Sequence, residues 1–379
     1  MKRKICVVIT ARASYCRIKT MLLAIKSHPM LTLQLVVTGS SLLDKYGGLI
    51  HLVLQDGFDN VIKLSNLLDN ENVTAAAKTT GLGIIELASV FENTMPDVVI
   101  TIADRYETIS AAIAASFMNI PLAHVQGGEV TGNIDEKVRH AVSKFADLHF
   151  VATEKSRQRL IAMGEVPTKI WQTGCPCIDL AHQTNSQLPF DYEHCNVMDL
   201  HPGERYLIVM HHPVTTESGS WKDQFKNLIN GIESLDMPTF WFAPNSDFGA
   251  DRIFKEIQLY KGSSKGQKTH LLTNLGPETF LKLVRNCACL IGNSSTGIRE
   301  GAFLGVPVVN IGSRQQGRER ADNVIDVQYD ARAIFAATQQ QLKHGPYKSS
   351  PIYGSGDAGV RIAALLADVE LNINKKITY

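Results

Sequence analysis

Short apolar runs rich in β-branched residues recur along the chain, and most are followed by a stretch with apolar residues three and four apart. The first run, 5–9, precedes a helical pattern over 12–27, and a second, 32–37, ends at Thr38 and Gly39. A long helical stretch over 73–93 leads to a run at 97–102. Then follow a helix over 107–118, a strand over 121–125, a helix over 134–145, a strand over 148–152, a helix over 154–163 and a strand over 169–173. Strands alternating with helices predict a parallel sheet covered on both faces.

From about 180 to 204 the periodicity fades into a polar stretch with Pro189, Pro202 and Gly203. It reads as a connection between domains. The pattern then restarts, with strands expected at 206–211, 239–243, 269–272, 287–291, 306–311 and 323–326, and helices between most of them. A loop around 344–359 precedes an amphipathic helix at about 360–371. The expected organisation is an N-terminal Rossmann-like domain over 1–180, a connection over 181–204 and a C-terminal Rossmann-like domain over 205–359, with 360–379 packing back on the first domain. The expected fold class is α/β: two doubly wound domains facing across a cleft, with ligands at the carboxyl ends of the strands.

Composition narrows the function. The chain has 379 residues, 44% hydrophobic and 20% charged, too apolar for disorder. Its 38 basic and 37 acidic side chains leave a net charge of +1 with no basic run, which gives no reason to expect nucleic acid or a membrane as partner. The longest apolar stretch, 109–125, contains Ser110, Ser116, Asn119, Pro121 and His124, so it reads as a helix and a strand rather than a membrane span. The run 5–9 is too short for a secretory signal. Seven cysteines, an odd number without a paired CxxC, fit free thiols in a reducing cytoplasm and neither a disulfide framework nor a zinc site.

Candidate chemistry gathers at the ends of expected strands. Thr10 to Ser14 opens the first helix with small residues and Arg12, a place that admits an anion, although no GxGxxG is present. Asp104-Arg105-Tyr106-Glu107 is either a capped helix start or a charged active-site edge. Gln126-Gly127-Gly128-Glu129 ends the next strand, and its glycines let backbone approach a ligand. Asp135 and Arg139, four apart, either pair on a helix surface or work with Asp104 and Glu129 as a carboxylate cluster that divides acid and base roles. His140 reads as structural. In the second half, one of His211 and His212 is expected in the core and the other towards the cleft. Gly292-Asn293-Ser294-Ser295-Thr296-Gly297-Ile298-Arg299-Glu300 joins a strand to a helix. Its hydroxyls and N–H groups suit a diphosphate, and Glu300, about two turns into that helix, suits ribose hydroxyls. Arg314 can add a cation.

Taken together these residues resemble the hydrolysing UDP-N-acetylglucosamine 2-epimerases that begin bacterial sialic acid synthesis. The resemblance covers nearly the whole chain: the turn at Arg12, Asp104-Arg105, His124 to Glu129, Arg139-His140, His212 to Thr216, Pro244-Asn245, Gly292 to Glu300, and Gly312 to Gln315. It implies a glycosyltransferase-B-like fold and a two-step reaction. UDP leaves by elimination across C1–C2 to give 2-acetamidoglucal, which is then rehydrated to N-acetylmannosamine. It further implies that Arg12, Ser14, Arg105, His212, Asn245, Ser294, Ser295, Glu300 and Arg314 hold UDP. Asp104, Glu129, Asp135, Arg139, Gln126 and His212 would work near the reacting sugar, without metal or cofactor, in a homodimer. Many members carry glutamate, a proposed acid/base, where this chain has Gln126. That role then passes to Asp104, Glu129 or Asp135, or Gln126 orients the N-acetyl group. Alternatives are a relative acting on UDP-2,4-diacetamido-2,4,6-trideoxyglucose, a glycosyltransferase of the same fold, and a regulator that binds nucleotide sugars.

Overall fold

The computed structural model describes residues 2–43, 48–68, 73–102, 105–131, 135–184, 203–214, 220–244, 249–273 and 275–378. The chain divides into two compact units. One comprises Met1–Glu129, Ile134–Leu180 and Tyr353–Tyr379, the other Val130–Asn133 and Ala181–Ile352.

In the first unit β1 (Arg3–Ile9), α1 (Arg12–Ser27), β2 (Leu31–Thr38), α2 (Leu49–Gln55), β3 (Val61–Leu64) and α3 (Val73–Thr94) make one half. The other half runs β4 (Val98–Ile102), α4 (Thr108–Phe117), β5 (Leu122–Val125), α5 (Asp135–Phe145), β6 (Leu148–Val151), α6 (Glu154–Ala162), β7 (Ile170–Gln172) and α7 (Pro176–Gln183). The strands form one parallel sheet in the order β3-β2-β1-β4-β5-β6-β7, which reverses direction between β1 and β4. Alternate residues of β1 serve opposite faces. Ile5, Val7 and Ile9 meet Ile18, Leu22 and Ile25 of α1. Cys6 and Val8 share a core with Leu87 and Phe91 of α3 and Ala111 and Ala115 of α4. A strand buried on both faces reads as a continuous apolar run, which is the signal 5–9 carries.

The second unit repeats the plan with β8 (Leu207–Met210), α8 (Trp221–Glu233), β9 (Thr239–Phe242), α9 (Ala250–Lys261), β10 (Thr269–Leu272), α10 (Pro277–Asn286) and β11 (Cys289–Gly292). It continues with α11 (Ser295–Ile298), α12 (Glu300–Leu304), β12 (Val308–Ile311), β13 (Val324–Val327) and α13 (Ala331–His344). Its parallel sheet has the order β10-β9-β8-β11-β12-β13, reversing between β8 and β11. Ile208, Phe240 and Leu290 pack on one face with Leu283 and Val284. Val209, Trp241 and Ile291 pack on the other with Leu228, Ile257 and Ile334.

A last helix, α14 (Ala358–Asp368), belongs to the first unit and lies against α1. A Cβ on Gly359 would come within 2.7 Å of the Met21 nitrogen, so glycine is what permits the close crossing. The Asp179 carboxylate accepts from the N–H groups of Ala358 (2.9 Å) and Gly359 (2.7 Å) and from Thr20 Oγ1 (3.0 Å), satisfying the free donors at the start of α14. The tail beyond is tied down at buried Glu165, which binds Lys375 (2.6 Å), Lys144 of α5 (2.7 Å) and His149 (3.1 Å).

Two expectations need correction here. Helix α7 runs three residues into the stretch read as a connection, to Gln183. The apparent silence between 39 and 73 holds α2 and β3. These are seven and four residues long, too short for either period to show.

Candidate active site

In the first unit β1, β4 and β5 are parallel neighbours, so the loops leaving them emerge along one edge at the point where strand order reverses. Open α/β sheets bind ligands at such an edge. Arg12 is the first residue of α1, and Ser14 is buried one position past Ala13. Asp104 lies outside the described residues. Arg105 donates to both carboxylate oxygens of Glu107 (Nε to Oε2 3.2 Å, Nη2 to Oε1 3.2 Å), and Glu107 is buried. Of the two readings of this stretch, the capping pattern is not met at Glu107. Helix α4 starts at Thr108, and the Glu107 side chain makes no cap hydrogen bond. It holds the guanidinium of Arg105 in a planar fork instead.

At the end of β5 the four residues Gln126, Gly127, Gly128 and Glu129 are all buried. Gln126 has φ +67, a left-handed conformation that costs a side-chain-bearing residue about 1–2 kcal/mol. Its N–H donates to Phe150 O (2.9 Å) and its Nε2 to Cys175 Sγ (2.7 Å). Its Oε1 is buried with no hydrogen-bond partner among the described residues. A Cβ on Gly127 would press on His124 Nδ1 at 2.9 Å, and one on Gly128 would run into the Ser156 carbonyl. His124 in turn bonds Ser143 of α5 (3.0 Å).

Arg139, 1% exposed, stitches loop and helix together. Its Nη1 donates to Glu129 O (3.0 Å) and to Glu136 Oε2 (2.8 Å). Glu129 and Arg139 are thus in direct contact, and Asp135 starts the same helix one turn away. His140 bonds Glu136 (2.9 Å), in keeping with a structural role.

The second unit presents an analogous edge at β8 and β11. Gly292, at φ +137, ends β11 so close to β8 that a Cβ would overlap the Met210 carbonyl oxygen. Next comes Asn293, fully buried. It accepts from His212 N and donates to His212 O, both at 2.8 Å. Its own carbonyl accepts from Arg314 Nη1 (3.1 Å) and from the buried Gln315 Nε2 (2.9 Å). Ser294 is the N-cap of α11, accepting from Thr296 N (3.3 Å).

The helix carrying Glu300 is not continuous. Helix α11 has four residues and stops at Arg299, and Glu300 begins α12. So short a helix has little macrodipole. Both His211 (2% exposed) and His212 (4%) are buried. The His211 ring lies between Phe225 and Tyr329, and burial, aided by the charge of Arg314, pushes its pKa down to about 4. Asn245 lies outside the described residues. No group of three or more His, Cys, Asp or Glu side chains among the described residues could hold a metal ion.

The sequence reading missed Asn293 as a bridge, Gln315 and Cys175. A buried Asn directly after a strand-ending glycine is a usable signal for the first. The contact of Cys175 with Gln126 spans 49 positions and has no local signature.

Against known proteins, the model of the UDP-N-acetylglucosamine 2-epimerase family matches residues 23–367. The chain belongs to that family. Among relatives, the UDP-N,N'-diacetylbacillosamine 2-epimerase (hydrolyzing) of Legionella pneumophila is 36% identical over 100% of both chains. The UDP-N-acetylglucosamine 2-epimerase of Neisseria meningitidis serogroup B is 32% identical over 94% of this chain and 92% of its own. Among solved structures, that of the Methanocaldococcus jannaschii UDP-GlcNAc 2-epimerase in complex with UDP-GlcNAc and UDP superposes with a TM-score of 0.79. It is 20% identical and covers 96% of this chain and 99% of that one, a likeness of fold. The 2-epimerase family and the glycosyltransferase-B-like two-domain fold are thus established for this chain.

Proposed function

We propose that this 2-epimerase is of the hydrolysing type and acts on a UDP-2-acetamido-2-deoxy sugar. The observation that carries the reading is the loop after β5, where the buried Arg139 guanidinium holds the main-chain carbonyl of Glu129 and the Glu136 carboxylate, in a chain of the UDP-N-acetylglucosamine 2-epimerase family. A base among Asp104, Glu129 and Asp135 takes the C2 proton. The electron pair forms the C1–C2 double bond as the C1–O bond to UDP breaks. Water then adds its hydroxyl to C1 of the glycal, and a proton reaches C2 from the opposite face. Arg12, Ser14, Arg105, Asn245, Ser294, Ser295, Glu300 and Arg314 bind UDP, with His212 held at the same strand edge by Asn293. Arg139 and Gln126 address the sugar. Opposed carboxylates in one site have the means to split acid and base duties.

Between the two sugars weighed from the sequence, the full-length match to a hydrolysing diacetylbacillosamine enzyme favours UDP-2,4-diacetamido-2,4,6-trideoxyglucose. UDP-N-acetylglucosamine is the second reading, supported by the Neisseria relative. A reducing cytoplasmic setting goes with this reading, on the odd cysteine count without a paired CxxC.

The test is to incubate the protein with each nucleotide sugar alone and follow UDP and free sugar by NMR. Free 2,4-diacetamido-2,4,6-trideoxymannose at the higher kcat/KM is expected. N-acetylmannosamine formed at an equal or higher kcat/KM transfers the assignment to UDP-N-acetylglucosamine. Release of UDP only when an acceptor is added means a glycosyltransferase.

A further inference from the structure

The Gln126 side chain is held from one end only. Its Nε2 donates to Cys175 Sγ at 2.7 Å, while its carbonyl oxygen is buried and has no hydrogen-bond partner among the described residues. Cys175 is itself fully buried, just before α7, with its sulfur 3.0 Å from that of Cys177. The backbone at Gln126 is left-handed at φ +67, and such a conformation persists only where the surroundings over-determine it. The Phe150 carbonyl fixes the main chain and the Cys175 sulfur fixes the amide, at the edge where Glu129 and Arg139 meet. The amide's unpartnered group is thus its carbonyl oxygen, an acceptor. A buried carbonyl without a partner is costly, so a ligand donor that reaches it gains selectivity over one that lacks the proton.

We infer that Cys175 is a positioning residue that orients Gln126 so that its carbonyl oxygen accepts the N–H of the substrate's 2-acetamido group. The inference rests on the 2-epimerase reading and deepens it. The acetamido N–H is present before and during reaction, so the bond acts mainly on substrate binding and shows in KM rather than kcat.

The experiment compares the UDP-2-acetamido sugar with its N-methylacetamido analogue, which has no N–H, in wild type, Cys175→Ala and Cys175→Ser. Cys175→Ala is expected to lower kcat/KM about tenfold for the acetamido sugar, through KM, and to leave the analogue nearly unchanged. Cys175→Ser, which keeps an acceptor, is expected to recover most of that loss. An equal loss on both sugars means that Cys175 only supports the fold, and no loss on either means that it does not orient Gln126; both overturn the inference. If Cys175→Ala does not fold, Gln126→Met carries the test. Preference for the N–H sugar should drop about tenfold, and unchanged preference overturns the inference. A wild-type protein that releases neither UDP nor free sugar from either nucleotide sugar defeats the 2-epimerase reading, and this inference with it. A wild type that turns over, beside an unaffected Cys175→Ala, defeats this inference alone.

Discussion

Asn293 and the backbone of His212 exchange two hydrogen bonds of 2.8 Å across the point where the second sheet reverses its strand order. One side chain thus ties the loop leaving β8 to the loop leaving β11, and Arg314 and Gln315 tie the loop after β12 to the same residue. Asn293→Ala removes both bonds and strands buried backbone groups on His212, at a cost of about 2–3 kcal/mol. Denaturant unfolding should show that loss, and calorimetry should show weaker UDP binding. A variant as stable as wild type with unchanged UDP affinity would mean that the bridge positions nothing.

UDP affinity should depend on Ser295 and Arg314 and not on a divalent metal. Ser295→Ala removes a hydroxyl donor to phosphate, about 1.5–3 kcal/mol for a charged acceptor, or roughly ten- to hundredfold in affinity. Because α11 has only four residues, little dipole is available to make up the difference. Calorimetry on Ser295→Ala and Arg314→Ala checks the placement, and unchanged affinity in both sinks it. Turnover should survive a chelator; activity abolished by the chelator and restored by Mg²⁺ would contradict the proposal that no metal takes part.

Most of the fold was legible because a doubly wound sheet writes itself plainly into sequence. Strands such as β1 and β11 are buried on both faces, so they appear as unbroken apolar runs, and helices such as α8 and α10 carry one apolar face. The loop residues at strand ends were legible for the same reason: once the strands are found, Gln126 or Ser294 can only lie at an edge. What escaped was set by contacts distant in sequence. Glu107 looked like a cap but is the fork partner of Arg105. The helix after Ser294 looked continuous but breaks at Arg299. Gly297 there approaches Val308 so closely that a Cβ would lie 2.8 Å from its side chain. Cys175 meets Gln126 only because β5, β6 and β7 are neighbours.

Stability should fall with acid because of His211. Burial depresses its folded pKa from 6.5 to about 4, so below pH 6.5 the unfolded chain takes up a proton that the folded chain refuses. The contribution is fully present above 6.5 and is lost as pH falls from 6.5 to about 4. At about 1.4 kcal/mol per pH unit the loss is about 3 kcal/mol. His211→Phe, which keeps the aromatic packing against Phe225 and Tyr329, should flatten that slope. Urea unfolding at pH 4.5, 5.5 and 7 checks it, and parallel slopes in wild type and variant would remove His211 as the cause.

The carboxylates offer the sharpest test of the chemistry. Removing the C2 proton needs a base on one face of the sugar, and rehydration needs a proton delivered to the other. Gln126 can serve neither step, since an amide does not titrate in the working range. Glu129 is held through its own carbonyl by Arg139, and Asp135 begins the helix that carries Arg139, so a change at one should be felt at the other. Asp104→Asn and Asp135→Asn should each lower kcat by at least about 10²-fold, the scale of acid–base catalysis. UDP affinity should change little, because neither carboxylate is among the residues assigned to UDP. In D₂O the free sugar should carry deuterium at C2, because the returning proton comes from groups that exchange with solvent. Product that retained the original C2 hydrogen would exclude elimination with exchange. It would require a shielded proton return or oxidation at a neighbouring carbon, and for the latter this chain lacks the dinucleotide fingerprint.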